Sequence, residues 1–281
     1  MKTARYWTRG EGEAAGRAGS FRAIARGWSD ESIEAARSKA VEMARRIAER
    51  VSGGSASGPR YPYGDRPLPE PVLREFDGGQ NRHAIVTRNA YGALVLNTDR
   101  MMFADIDRKT ASPAKGGLFS SWFGKSKPET VSDPLIDAMR AVTDRHELAA
   151  RLYETAAGYR LIVTSAPFQA GSTEAEVLLA EFHSDPLYVR LCRMQESFRA
   201  RLTPKPWRCH FHAPPVEFPF ETADDRSRFE NWEREYNARG AAFATCRFIS
   251  ELGSGSVNPD FRDLIDYHDH ASKALALHKL A

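Results

Sequence analysis

The residues best suited to chemistry stand in one short run, Met101-Met102-Phe103-Ala104-Asp105-Ile106-Asp107. Its apolar first half predicts a strand, and on a strand residues i and i+2 project to the same face, about 7 Å apart at Cα. Asp105 and Asp107 then share a face, and Ile106 points to the opposite one. Two carboxylates at the end of an apolar strand repel each other and lose hydration, and a hard divalent cation relieves both effects. Mg²⁺ or Mn²⁺ is typically held by one or two carboxylates together with substrate phosphates. The same pattern also describes a strand that ends in solvated acids, with Asp107 capping the turn into Arg108-Lys109, because D-x-D is short and common.

A second feature is basic. From Arg190 to Arg208 the sequence reads RLCRMQESFRARLTPKPWR. Leu187, Leu191, Met194 and Phe198 would form the buried side of a helix, with Arg190 and Arg193 one turn apart on another side. Arg199, Arg201, Lys205 and Arg208 carry the basic character into a proline-flanked turn, and Trp207 offers an aromatic face there. Cations interleaved with an aromatic ring suit phosphate binding and base stacking. A solvated helix face whose arginines pair with nearby acids such as Glu196 is the plainer reading.

A third feature is Thr155-Ala156-Ala157-Gly158-Tyr159-Arg160 leading into an apolar strand. Small residues there admit another backbone or a phosphate at close range, or make an ordinary hairpin turn, with Arg160 beside the neighbouring strand.

In this order the motifs resemble the archaeo-eukaryotic primase and primase-polymerase superfamily. Phe103-Ala104-Asp105-Ile106-Asp107 is similar to that family's strand-terminal hDhD/E metal motif. Thr155 to Arg160 stands where the family has a turn into a strand bearing its nucleotide-binding histidine, and here the position is Arg160. The resemblance covers roughly residues 82–219. It implies an RRM-like palm, two divalent ions and a bound nucleotide, with Asp105 and Asp107 as catalytic and metal-binding residues. Arg160, Arg201, Lys205, Trp207 and Arg208 would be contacts to nucleotide or nucleic acid. Glu217 and Asp185 are the candidates for the family's third carboxylate, and the replaced histidine bears against polymerase activity itself.

Other patterns carry less. Tyr267-His268-Asp269-His270 contains an HD pair but lacks an upstream partner histidine at helical spacing. Cys209-His210-Phe211-His212 lacks the second cluster that a four-ligand zinc site requires. P-loop, dinucleotide-binding and hydrolase-elbow motifs are missing.

The elements that must position these residues follow from periodicity. Residues 20–28 predict a short strand. Ser29 to Ser32 predict a helix start, followed by Ile33, Ala36, Ala40, Met43, Ala44, Ile47 and Val51 at helical spacing. Residues 52–58 read as a Gly/Ser linker and 59–71 as an extended Pro/Tyr-rich arm. Three β-prone runs at 83–88, 91–98 and 101–107 predict an antiparallel meander with the last strand in mid-sheet. Residues 108–131 predict a flexible insertion, with Phe119, Trp122 and Phe123 as a folded-back plug, a lid or a docking loop. Helices follow at 132–147, 173–182, 186–199, 224–238 and 259–280, the last with Leu275 and Leu280 on its apolar side. Strands fall at 151–153, 159–165 and 242–249. The irregular order predicts an α+β fold, an antiparallel or mixed sheet flanked by helices, rather than a doubly wound one. It divides the chain into an N-terminal strand, helix and linker (1–58) and a main α+β domain (59–281).

The 281 residues are enough to bury a continuous core, and 42% hydrophobic with 27% charged residues is ordinary for a globular chain. A net charge of +3 does not by itself argue for nucleic acid. Three dispersed cysteines, Cys192, Cys209 and Cys246, argue against a disulfide framework. The first twenty residues carry no apolar signal core, and no run approaches a membrane span, so the expected location is the cytoplasm. The functional expectation is metal-dependent handling of nucleotides or nucleic acid, with nucleotidyl transfer its most concrete form. The alternative is a non-catalytic nucleic-acid or protein-binding module of the same fold.

Overall fold

The first residues form a hairpin, because alternating small and polar side chains let two long strands lie flat on a helix. In the computed structural model, which describes residues 1–16, 19–53, 66–78, 81–108 and 133–281, β1 (Tyr6–Gly16) pairs antiparallel with β2 (Gly19–Ser29). Both lie against α1 (Ile33–Ser52), whose N-cap Ser32 accepts from the Ala35 N–H. The helix meets them with Ala36, Ala40 and Ala44, all fully buried. A Cβ on Gly27 would sit 2.1 Å from the Ala36 carbonyl oxygen, so only glycine admits this approach. Sequence reasoning anticipated β2 and α1 but not β1, whose polar, Gly/Ala-rich composition hides a strand.

The rest of the described chain is built on two antiparallel four-stranded sheets. The first runs in the order β3 (Val72–Gly78), β4 (Asn81–Arg88), β5 (Leu94–Thr98), β9 (Phe198–Arg201). The second runs β11 (Cys246–Leu252), β7 (Ala150–Thr155), β8 (Gly158–Val163), β6 (Phe103–Asp107). Around them pack α2 (Pro134–Arg145), α3 (Thr173–Glu181), α4 (Pro186–Gln195), α5 (Ala223–Gly240) and α6 (Arg262–Ser272). One core of buried Leu, Ile, Val, Met and aromatic side chains joins both sheets to α2, α3, α4 and α6. A short parallel pair, β10 (Phe243–Ala244) with β12 (Lys279–Leu280), closes the C-terminus. The fold is α+β, as expected, with both main sheets antiparallel.

Several elements differ from expectation. The third β-run does not continue a meander. After Thr98, whose hydroxyl accepts from Met101 N–H at 2.8 Å, the chain leaves the first sheet, and β6 becomes the edge of the second. Residues 186–199 do not form one helix. Glu196 takes a left-handed conformation at φ 50°, which ends α4 and releases Phe198–Arg201 to pair with β5. The C-terminal helix stops at Ser272 with Lys273 left-handed, leaving Leu275 exposed and Leu280 on a strand. Strand β3 replaces what sequence patterning left unassigned. The boundary near residue 58, most of the 59–71 arm and the 109–131 part of the insertion, with Phe119, Trp122 and Phe123, lie outside the described residues.

Small residues set the spacing between hairpin and helix, so enlarging one should unseat it. Gly27→Val is expected to lower stability by about 1–3 kcal/mol through overpacking. Urea unfolding that coincides with wild type would show that the hairpin does not depend on this contact.

Candidate functional site

A cleft of about 380 Å³ opens where the edge strand of one sheet faces the edge strand of the other. Asp105, Asp185, Arg160, Arg199, Arg201 and Tyr91 contribute to its lining. Its walls follow from the strand registers. Asp105 of β6 lies opposite Arg160 of β8, which lies opposite Tyr153 of β7. Asp107 lies opposite Gly158, where a Cβ would sit 2.0 Å from the Ile106 carbonyl oxygen. The small residues read as admitting a backbone or a phosphate therefore admit a backbone.

Among the described residues no strand lies beside the outer edge of β6. Ser184 and Asp185, in the turn between α3 and α4, close it instead. Asp185 N–H donates to the Asp105 carbonyl at 2.8 Å, and the Ser184 hydroxyl donates to the same oxygen at 3.1 Å. Tyr188 donates its hydroxyl hydrogen to the Phe103 carbonyl at 2.9 Å and accepts from Arg199 N–H of β9 at 3.2 Å. Side chains rather than a backbone ladder thus tie the two edges together, which protects both from further pairing. The same contacts carry Asp185 to the side of Asp105. Its carboxylate also caps α4, accepting from Leu187 N–H at 3.0 Å.

The charges around this cleft are gathered but not paired. Neither the Asp105 nor the Asp107 carboxylate has a hydrogen-bond or ion-pair partner among the described residues, and the same holds for the Arg201, Lys205 and Arg208 side chains. The Nε of Arg201 is buried without an acceptor. Burial, with repulsion from Arg160 and Arg208, lowers the Arg201 guanidinium to about 10, against the pull of Asp105. Burial and its cationic neighbours Arg201 and Arg208 also lower Lys205, again opposed by Asp105 and Asp107. Asp107 is raised, first by burial and then by Asp105 and Asp185, while Lys205 and Arg208 oppose the shift. Arg160 is 4% exposed, and its Nη1 donates to the Arg201 carbonyl at 2.9 Å and to His268 Nε2 at 3.2 Å. Neither partner is a carboxylate. Arg199, by contrast, is spent: it grips Glu70 through two 2.8 Å contacts, and Glu70 also accepts from Thr87.

Asp105, Asp107, Arg160, Arg201, Lys205 and Arg208 therefore fall in one electrostatic neighbourhood, although they come from β6, β8, β9 and the short 3-10 turn Pro206–Cys209 with Lys205 at its start. Trp207 is 53% exposed and reaches the cleft only through Tyr91 of its lining. Its ring lies edge-on to Tyr91 at 5.4 Å, with the Lys205 ammonium 5.6 Å from its centroid. Of the two candidate third acids, Asp185 joins the cleft. Glu217 does not; it pairs with Arg26 of the N-terminal hairpin at 2.6 Å. Glu196 binds Lys2 at 3.3 Å rather than the arginines, and Arg193 pairs with Glu176 at 3.6 Å. Sequence reasoning did not pick out Tyr91 or Tyr188. Asp185 was a candidate only through the family resemblance, and nothing local signals that its turn borders the acidic strand.

Among the described residues no group of three or more His, Cys, Asp and Glu side chains is arranged to hold a metal ion by itself. Two carboxylates with free lone pairs and a repelling third acid nearby still suit a hard cation, which takes its remaining ligands from water and phosphate. The HD pair serves another purpose, since His268 and Asp269 are buried behind Arg160 and bonded to each other. No protein-family model matches this chain, and neither the curated proteins nor the solved structures give a match. Among the described residues no helix is long and apolar enough to cross a membrane.

The sign of the Asp107 shift gives a test. A raised native pKa means that the native state holds this proton more tightly than the unfolded chain. The associated stability is present at acid pH and is lost as pH rises through the native value. Asp107→Asn lacks that loss. Its melting temperature relative to wild type should therefore climb between pH 3 and pH 7, modestly because Asp107 is exposed. A difference that does not vary with pH would remove the acid cluster as the cause.

Proposed function

We propose that the cleft binds a nucleotide or the end of a nucleic-acid strand through its phosphates, with a divalent ion at Asp105 and Asp107. Arg160, Arg201, Lys205 and Arg208 are the phosphate ligands, and Trp207 with Tyr91 supplies a surface on which a base stacks. The observation that carries this reading is the set of unpaired charges: two carboxylates and several cations share one site without neutralising each other. Buried guanidinium groups are costly unless something anionic compensates them. A phosphate answers the arginines and a cation answers the acids, so one metal–phosphate ligand satisfies both.

Mg²⁺ or Mn²⁺ held there would neutralise phosphate charge as a Lewis acid. The protein's own contribution is orientation. Arg160 and Arg201 fix phosphate oxygens from beneath, Lys205 and Arg208 do so at the mouth, and the stabilised charge is that of a transferring phosphoryl group. Nucleotidyl transfer is the most concrete form. A second reading, a non-catalytic module, is favoured by Arg160 itself, which occupies the position of a histidine in the superfamily the motifs resemble.

Purified protein incubated with a primed or unprimed template, NTPs or dNTPs and Mn²⁺ tests this. Asp105→Asn should reduce product by at least about a hundredfold, the scale of losing a transition-state charge contact. Equal product from both proteins would end the catalytic role of Asp105. Strand binding that falls steeply with salt but ignores metal, with no product formed, would select the non-catalytic module.

A further inference from the structure

A largely buried polar chain adjoins Arg160. His268 of α6 has no solvent exposure. Its Nδ1 is 2.9 Å from Asp269 Oδ1, and its Nε2 is 3.2 Å from Arg160 Nη1. Asp269 is itself anchored, accepting from the Tyr153 hydroxyl at 2.7 Å and from Arg151 Nη2 at 2.8 Å. The Cys246 thiol sulfur approaches His268 Nε2 at 3.9 Å and Arg160 Nη1 at 4.0 Å. The ring is wedged between aromatic side chains, stacked on Phe103 at 6.0 Å and edge-on to Tyr153 at 5.0 Å.

This arrangement settles which nitrogen carries hydrogen in the neutral ring. A carboxylate at Nδ1 requires a donor, so the proton sits there and Nε2 presents its lone pair to Arg160. A guanidinium has donors only, and Arg160 has no carboxylate within ion-pair distance among the described residues. Its direction is set by the Arg201 carbonyl and by this imidazole.

We infer that His268 is a positioning residue: held as the Nδ1–H tautomer by Asp269, it fixes the guanidinium of Arg160 in the orientation that meets a phosphate in the cleft. The inference rests on the phosphate-binding reading of that cleft. It also gives the site an acid-sensitive control. Burial resists protonation of the ring, but Asp269 and Cys246 favour it and prevail over burial and over Arg160, so the ring titrates above the ordinary histidine range. Once protonated, Nε2 loses its lone pair and presents a hydrogen to another cation. Arg160 is then released on the acid side and held on the alkaline side.

The test uses inorganic tripolyphosphate at pH 8.5, followed by calorimetry, on wild type, Arg160→Gln, His268→Phe, His268→Gln and the Arg160→Gln/His268→Phe pair. Losing a hydrogen bond to a charged group predicts a loss of about tenfold for Arg160→Gln and a similar loss for His268→Phe. The pair should bind no more weakly than Arg160→Gln alone, because His268 acts only through Arg160. His268→Gln, which keeps an acceptor, should stay close to wild type. Sulfate, whose charge is constant over this range, should bind wild type progressively less from pH 8.5 to 6 and His268→Gln with a flatter profile. Imidazole ¹⁵N NMR of the unliganded protein should show Nδ1–H at alkaline pH, with a shifted signal in Arg160→Gln. Wild-type binding by His268→Phe, additive losses in the pair, or a proton on Nε2 in the neutral ring would each overturn the inference. If wild type and Arg160→Gln bind tripolyphosphate equally, the cleft reading fails, and the NMR signals still decide whether His268 holds Arg160.

Discussion

Two antiparallel sheets meet here edge to edge, and a buried arginine stands at the seam. Arg160 belongs to the second sheet but donates to the carbonyl of Arg201 in the first. Tyr188 bridges the same edges from α4, and the Thr245 hydroxyl adds a contact to the Leu202 carbonyl at 2.8 Å. An edge strand left alone presents unpaired backbone groups that invite association. Joining the edges through side chains satisfies part of that demand while keeping the strands far enough apart for a cleft to form between them. The cleft is thus a consequence of how the sheets are closed.

Several charges elsewhere in the described residues are paired. Glu70 holds Arg199, Glu233 holds Arg88, Asp269 holds Arg151 and Glu75 holds Arg5. These pairs support the fold and are closed to ligands. Asp105, Asp107, Arg201, Lys205 and Arg208 differ in that oppositely charged side chains act on one another there without forming a hydrogen bond or ion pair among the described residues. Burial matters here because the lower effective dielectric strengthens every interaction that a ligand would make.

Much of the candidate site was legible in the sequence, because its parts are short and local. Alternation places Asp105 and Asp107 on one side of a strand, and an apolar run carries Arg160 beside them. The convergence of Lys205 and Arg208 on that strand was not legible in the same way, since it depends on a left-handed Glu196 ending a helix that periodicity would extend. That one backbone turn converts Phe198–Arg201 from helix to edge strand and swings the basic turn toward the acids. The fold was read less completely. β1 escaped because glycine and alanine carry no β signature, although a helix surface lined with Ala36, Ala40 and Ala44 needs just such partners. Likewise β6 resembled the third strand of a meander, because sequence alternation does not say which neighbour a strand chooses. His268 and Asp269, legible only as a weak metal pair, owe their meaning to burial behind Arg160.

The tight approach of Gly158 to the Ile106 carbonyl has a further consequence for fidelity of folding. Side chains on a strand alternate, so a slip of one residue between β6 and its neighbour would turn Ile106 outward and drive both acids into the apolar interior. A bare backbone at Gly158 lets the two chains nest at a single offset, and no neighbouring residue of β8 could take its place. The least reactive residue of the hairpin thereby acts as an alignment pin, and the chemical polarity of the whole strand depends on it.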